Sequence, residues 1–93
     1  MHWQAFENVW EALEDTAAEA SRMTMRSDLI IALRQRILKW GVTQAEAARR
    51  LEVTQPRLND LLQGRIVIFS LDALVDLAAK VGLVVRLIID PSQ

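Results

Sequence analysis

Apolar residues recur every three to four positions along most of this chain, and the places where that rhythm stops mark its elements. Leu29, Leu33, Ile37 and Trp40, broadened by Ile30 and Ala32, form a stripe at helical spacing, with Arg26, Arg34, Arg36 and Lys39 mostly on the other side. Gly41 supplies the stop. Three shorter stripes follow: Ala45, Ala48 and Leu51; Leu58, Leu61 and Leu62; then Leu71, Leu74, Leu77 and Ala78. Upstream, Trp3, Phe6, Trp10 and Leu13 are spaced as one face of a short acidic helix. The period changes at the end, where Leu83, Val85, Leu87 and Ile89 alternate with Val84, Arg86 and Ile88 in a Val- and Ile-rich run that reads as a strand. The pattern predicts an all-α domain of five helices with one short C-terminal β-strand.

Start and stop signals sharpen these limits. Thr43 and Glu46 form a capping box, the Thr hydroxyl taking the Glu46 amide proton and the Glu carboxylate reaching back to the Thr43 amide, so a helix begins at Gln44. Thr54 caps the Arg57 amide at the start of the next helix, and Pro56 lies in its first turn, where a missing N–H costs nothing. Gly64 is placed to end that helix in the left-handed conformation. Ser70 opens a helix from Leu71 to about Val81, with Asp72 near its positive end, Lys80 near its negative end and Gly82 closing it. Between them, Ile66 to Phe69 is unusually apolar for a linker; it is expected to fold back with Phe69 as a core plug, and a short strand is possible there. Thr16 with Glu19 repeats the capping box, which predicts a break, a fresh helix from Ala17, and a division into an arm (1–16), a main domain (17–90) and a tail (91–93).

Two short helices joined by so tight a turn make a helix-turn-helix, and its second helix turns Gln55, Pro56, Arg57, Asn59, Asp60 and Gln63 outward. Gln and Asn can pair with adenine, and Arg with guanine or a phosphate, so this cluster suits reading of a DNA major groove. The alternative is a merely solvated face; the two caps, the spacing and the polar first turn weigh against it. Charge supports the first reading. Five carboxylates against one arginine leave residues 1–25 at −4, eight cations against four carboxylates put residues 26–65 at +4, and the remainder sums to −1. The basic charge therefore sits on the segment that would meet phosphates. A pI near 5.7 argues against strong non-specific DNA affinity.

At these residues the chain resembles a known family. TQAEAARRLEVTQPRLNDLLQG, residues 43–64, is similar to the helix-turn-helix of the Xre/Cro-type regulators, whose pattern runs T-Q-x-x-L/A-A-x-x-L-G-V-S/T-Q-x-x-I/L-x-x-x-x-x-G. Small HigA-type antitoxins and their relatives continue as GKxxxFSLDxLxxLAxxLGxxVxL, and this chain has Gly64, Arg65, Phe69-Ser70-Leu71-Asp72-Ala73-Leu74, Ala78-Ala79, Gly82 and Val85. The resemblance spans about residues 26 to 90. It implies that Gln44 touches a phosphate, that Thr54, Gln55, Pro56 and Asp60 read bases, and that Arg57, Gln63 and Arg65 hold the DNA backbone. Glu52 stands where the family has Gly, so either it bears a left-handed strain of about 1 kcal/mol or the turn differs. Pro56 replaces a hydrogen-bonding side chain, leaving apolar contact with a thymine methyl. Asp60 faces phosphate repulsion unless it accepts from a cytosine amine or pairs with Arg57.

Ninety-three residues make one small domain, for which assembly with a second copy is plausible support. An apolar strand edge left unpaired is an aggregation hazard, so Val84, Val85, Arg86, Leu87, Ile88 and Ile89 are expected to pair across a homodimer, with Ile66 to Phe69 of the same chain as the alternative partner. The aromatic stripe of residues 3–13 has two readings: packing on the domain core or a dimer mate, or docking of a basic partner protein. With no cysteine and only His2, neither disulfide nor metal site is expected, and no cofactor is implied. The chain lacks a run of 18 apolar residues and a basic-then-apolar start, so it is expected to be cytoplasmic, without a membrane partner. No nucleophile–base pair or phosphate-cradling glycine loop points to an enzyme. Two functions remain: a dimeric regulator of transcription that binds double-stranded DNA, and the antitoxin of a type II pair, which neutralises a small basic ribonuclease toxin and autoregulates its operon.

Overall fold

The structure, a computed structural model, describes the backbone of residues 2–91 and the side chains of residues 16–91. It contains four α-helices, α1 (His2–Lys39), α2 (Gln44–Leu51), α3 (Gln55–Leu62) and α4 (Leu71–Lys80), with one 3-10 turn, Ile66–Ile68, between α3 and α4. Three helices open on the predicted caps. The hydroxyls of Thr43, Thr54 and Ser70 accept the amides of Glu46, Arg57 and Ala73 at 3.1, 3.2 and 3.1 Å. Each satisfies a donor the helix itself cannot.

The core lies where the second half of α1 meets the other helices. Ile30, Leu33 and Ile37 of α1 join Ala47, Ala48 and Leu51 of α2, Leu58 and Leu61 of α3, Phe69, and Leu74, Leu77, Ala78 and Val81 of the α4 region. Small Ala47 and Ala48 let α2 come close, and Phe69, 1% exposed, plugs the centre as expected. Burying that ring stabilises the fold by about 2–3 kcal/mol. Among the described residues, no helix is long and apolar enough to cross a membrane.

The ends of α2, α3 and α4 share one closure. The amides of Glu52, Gly64 and Gly82 bond to the carbonyls of Arg49, Leu61 and Ala79, and the next amides, of Val53, Arg65 and Leu83, reach back to Ala48, Asp60 and Ala78 at 2.9–3.1 Å. This Schellman pattern demands a left-handed residue, and Gly64 and Gly82 have φ of 75° and 78°. Glu52 does the same without glycine's freedom, at φ 59° and ψ 42°, so of the two outcomes open for this position the strained one holds.

Two expectations fail. Among the described residues there are four helices instead of five, because α1 is continuous over 38 residues and the Thr16–Glu19 box opens no new helix. Residues 2–40 contain no glycine or proline to interrupt it, and the Glu19 carboxylate is engaged forward by Arg22 at 2.8 Å and Arg26 at 3.3 Å. The C-terminal strand is also absent: among the described residues there is none, and 83–90 run without a ladder. A Val- and Ile-rich run makes a strand only beside another extended segment, and the candidate within the chain, residues 66–68, is wound into a 3-10 turn.

Smaller shifts of phase accompany these. Ala45 is exposed and Ala47 buried, so the inner face of α2 is rotated from the expected one. Trp40, Leu62 and Leu71 are half-buried at the edge of the core. From Thr16 to Met25 every residue but Met23 is exposed, so this part of α1 stands outside the core. The side chains of Trp3, Phe6, Trp10 and Leu13 lie outside the described residues.

Candidate nucleic-acid interface

The first turn of α3 is open, as is that of α2. Gln55 and Pro56 are exposed, and the Gln55 side-chain amide has no hydrogen-bond partner among the described residues. Thr54 is exposed while its oxygen caps the helix, and Gln44 occupies the exposed first position of α2. The helix N-terminus adds a favourable field for an approaching anion.

Arg57 is held differently from the expected free phosphate clamp. Its guanidinium carbon lies 4.1 Å from the centroid of the Phe69 ring, so the planar fork stacks on a side chain fixed in the core. Among the described residues it has no carboxylate partner, and stacking restricts its side chain without consuming its donors. Asp60 pairs with Arg65, Nη1 to Oδ1 at 3.5 Å, rather than with Arg57. Arg65 also donates from Nε and Nη2 to the Gln63 Oε1 at 3.2 and 2.9 Å, and Gln63 Nε2 donates to Asn59 Oδ1 at 3.5 Å. The second half of α3 thus carries one polar network, in which Arg65 offsets the Asp60 charge that would repel a phosphate.

A second cluster lies on α2. The Glu46 carboxylate does not reach back to Thr43; it is held by Arg49 at 2.9 and 2.6 Å and by Arg50 at 3.0 Å. Those bonds, from Arg49 first and Arg50 next, lower its pKa from the ordinary 4.5 to about 2, and Glu46 in turn raises that of Arg49. Arg50 also lies 5.0 Å from the centroid of Trp40.

Helix, turn and helix therefore stand in the geometry that the caps imply, with the second helix open at its first turn. Residues 12–90 match the family described as a helix-turn-helix domain. The chain belongs to that family. Among curated proteins the comparison finds no match.

The helix-turn-helix unit brings together eight of the nine residues expected to face DNA, from Thr54 to Arg65 on α3 and just beyond it, with Gln44 on α2. The six expected at a dimer seam are separate, on the C-terminal segment, and all are exposed. Val84, Leu87, Ile88 and Ile89 are each at least 75% exposed. With Met25, Asp28 and Leu29 of α1 and Leu71 and Val75 of α4, residues 85–88 line a groove of about 420 Å³.

Sequence reasoning missed three tertiary ties: the stack of Arg57 on Phe69, the bond from Arg36 Nη1 to the Val81 carbonyl at 3.1 Å, and that from Lys80 Nζ to the Leu51 carbonyl at 3.1 Å. Lys80 is in the last turn of α4, where spacing alone assigns it to that helix's own dipole; nothing local reveals that it serves α2.

Proposed function

We propose that the protein is a sequence-specific, dimeric DNA-binding regulator that lays the first turn of α3 in the major groove. One observation carries this reading: in a helix-turn-helix domain whose basic charge is concentrated on residues 26–65, Gln55 and its neighbours are left open while every buried side chain of the pair is apolar. Gln55 reads adenine, Pro56 packs on a thymine methyl, and Asp60, with its charge offset by Arg65, accepts from a cytosine amine. Gln44, Thr54, Arg57, Asn59, Gln63 and Arg65 position the duplex through phosphates and groove edges. The resemblance to Xre/Cro-type regulators agrees with these roles for Gln44, Gln55, Pro56, Arg57, Asp60, Gln63 and Arg65, and gives Thr54 to base reading.

The dimer in this proposal forms through the apolar side chains of residues 84–89. Val84, Leu87, Ile88 and Ile89 among them are each at least 75% exposed, an apolar run of the kind that marks an interaction site. Two α3 helices related by a two-fold axis then meet half-sites about 34 Å apart. Selection from a random duplex pool tests the whole reading: a palindromic site with a symmetric footprint is expected, and a pool that enriches no sequence overturns it.

The same exposed segment fits the antitoxin reading, in which a small basic ribonuclease covers it. A neighbouring reading frame for such a protein, and a complex of the two by sedimentation, would favour that role.

A further inference from the structure

A Schellman closure satisfies two of the four orphan carbonyls of a helix end and leaves the last two, of which the final one is the most open to an outside donor. In α2, α3 and α4 the final carbonyls are those of Leu51, Gln63 and Val81. Two of them are taken by a cation from another helix. Arg36 of α1 donates from Nη1 to Val81 at 3.1 Å, and Lys80 of α4 donates from Nζ to Leu51 at 3.1 Å. The ties run in series, from α1 to the end of α4 and from the end of α4 to the end of α2. Lys80 has a second partner there, Glu52 Oε1 at 3.2 Å. Glu52 is the left-handed residue at which the chain leaves α2 for α3, so Lys80 grips both the last carbonyl and the side chain of the turn that aims the second helix.

We propose that Lys80 is a positioning residue for base reading: by fixing the Leu51–Thr54 turn to α4, it sets the angle at which α3 meets the groove. This rests on the DNA-binding reading above. Three features of the geometry support it. The turn holds one non-glycine residue at positive φ, so a restraint is needed to keep it in a conformation the chain does not favour. The carbonyl that Lys80 takes is at the negative end of α2, where a cation is best placed. Lys80 is also the last residue of α4, next to Val81, whose carbonyl Arg36 anchors, so its own backbone is fixed at both sides of the contact.

The test is Lys80→Met in the full chain, which keeps the apolar stem and removes the donor. Fluorescence anisotropy would follow binding to the duplex selected by the wild-type chain and to a scrambled one, at several salt concentrations, with thermal midpoints measured alongside. The expected result is a loss of roughly three- to tenfold on the selected duplex, with the scrambled duplex and the salt slope unchanged, and recovery of most of the loss by Lys80→Arg. Equal losses on both duplexes, with a slope shallower by about one, would make Lys80 a direct phosphate contact and overturn the proposal. A lowered midpoint with undiminished discrimination would reduce it to a stabilising contact and overturn it too. A wild-type chain that enriches no duplex would remove the DNA-binding reading itself, and this role with it.

Discussion

At the scale of single residues, what matters is which polar groups the fold has already used. Gln55 has an unengaged amide, whereas Asn59, Asp60, Gln63 and Arg65 are tied to one another. Gln55→Ala should therefore cost about 1–3 kcal/mol on the selected duplex and little on a random one, measured by anisotropy titration. An equal loss on both would remove Gln55 from base reading. Glu46 is a residue already spent, on Arg49 and Arg50. Its folded-state pKa is depressed to about 2 from 4.5, so its contribution to stability is present above 4.5 and is lost as the pH falls toward 2. Thermal midpoints of the wild type and Glu46→Gln should differ at pH 6 and converge as the pH drops from 4.5 to 2. A gap that stays constant over that range would show that the ion pairs do not stabilise the helix.

At the scale of elements, the α2–α3 turn holds the clearest local conflict. Glu52 adopts a conformation that costs a non-glycine residue about 1 kcal/mol or more, and its ion pair with Lys80, three-quarters exposed on the Glu52 side, returns only a fraction of that. Glu52→Gly is expected to raise stability by about 0.5–1 kcal/mol in denaturant unfolding; a fall would mean that the pair outweighs the strain. This conflict was legible in the sequence, as were the caps at Thr43, Thr54 and Ser70 and the stop at Gly64, because each is written within four residues of chain. The continuity of α1 was not legible, since whether Thr16 interrupts a helix depends on where Glu19 finds its partners. The C-terminal run misled for a related reason: β-propensity describes a residue's fit to a sheet and says nothing of whether a neighbouring strand exists. Of the α3 residues expected outward, Gln55, Pro56 and Gln63 are exposed while Arg57, Asn59 and Asp60 are half-buried, a difference that helical period alone does not resolve. The stack of Arg57 on Phe69 and the reach of Lys80 to Leu51 join residues 12 and 29 positions apart, and no local pattern encodes them.

At the scale of the whole molecule, the apolar side chains of residues 84–89 stand uncovered. Ile88 is 82% exposed and contributes little to the monomer, so Ile88→Asp should leave the fold intact. It is expected to turn a dimer into a monomer in sedimentation, and to weaken operator binding roughly 100-fold through lost two-site avidity. A variant that still sediments as a dimer would move the seam elsewhere. The long first helix has its own consequence. It draws the molecule out to 61 Å against 28 and 16 Å, with a net −4 on its leading 25 residues and +4 on the forty that follow. Such a particle is an electric dipole lying along its own long axis. Near a polyanion it feels a torque before it feels a contact, so its acidic end swings away and the basic segment arrives first.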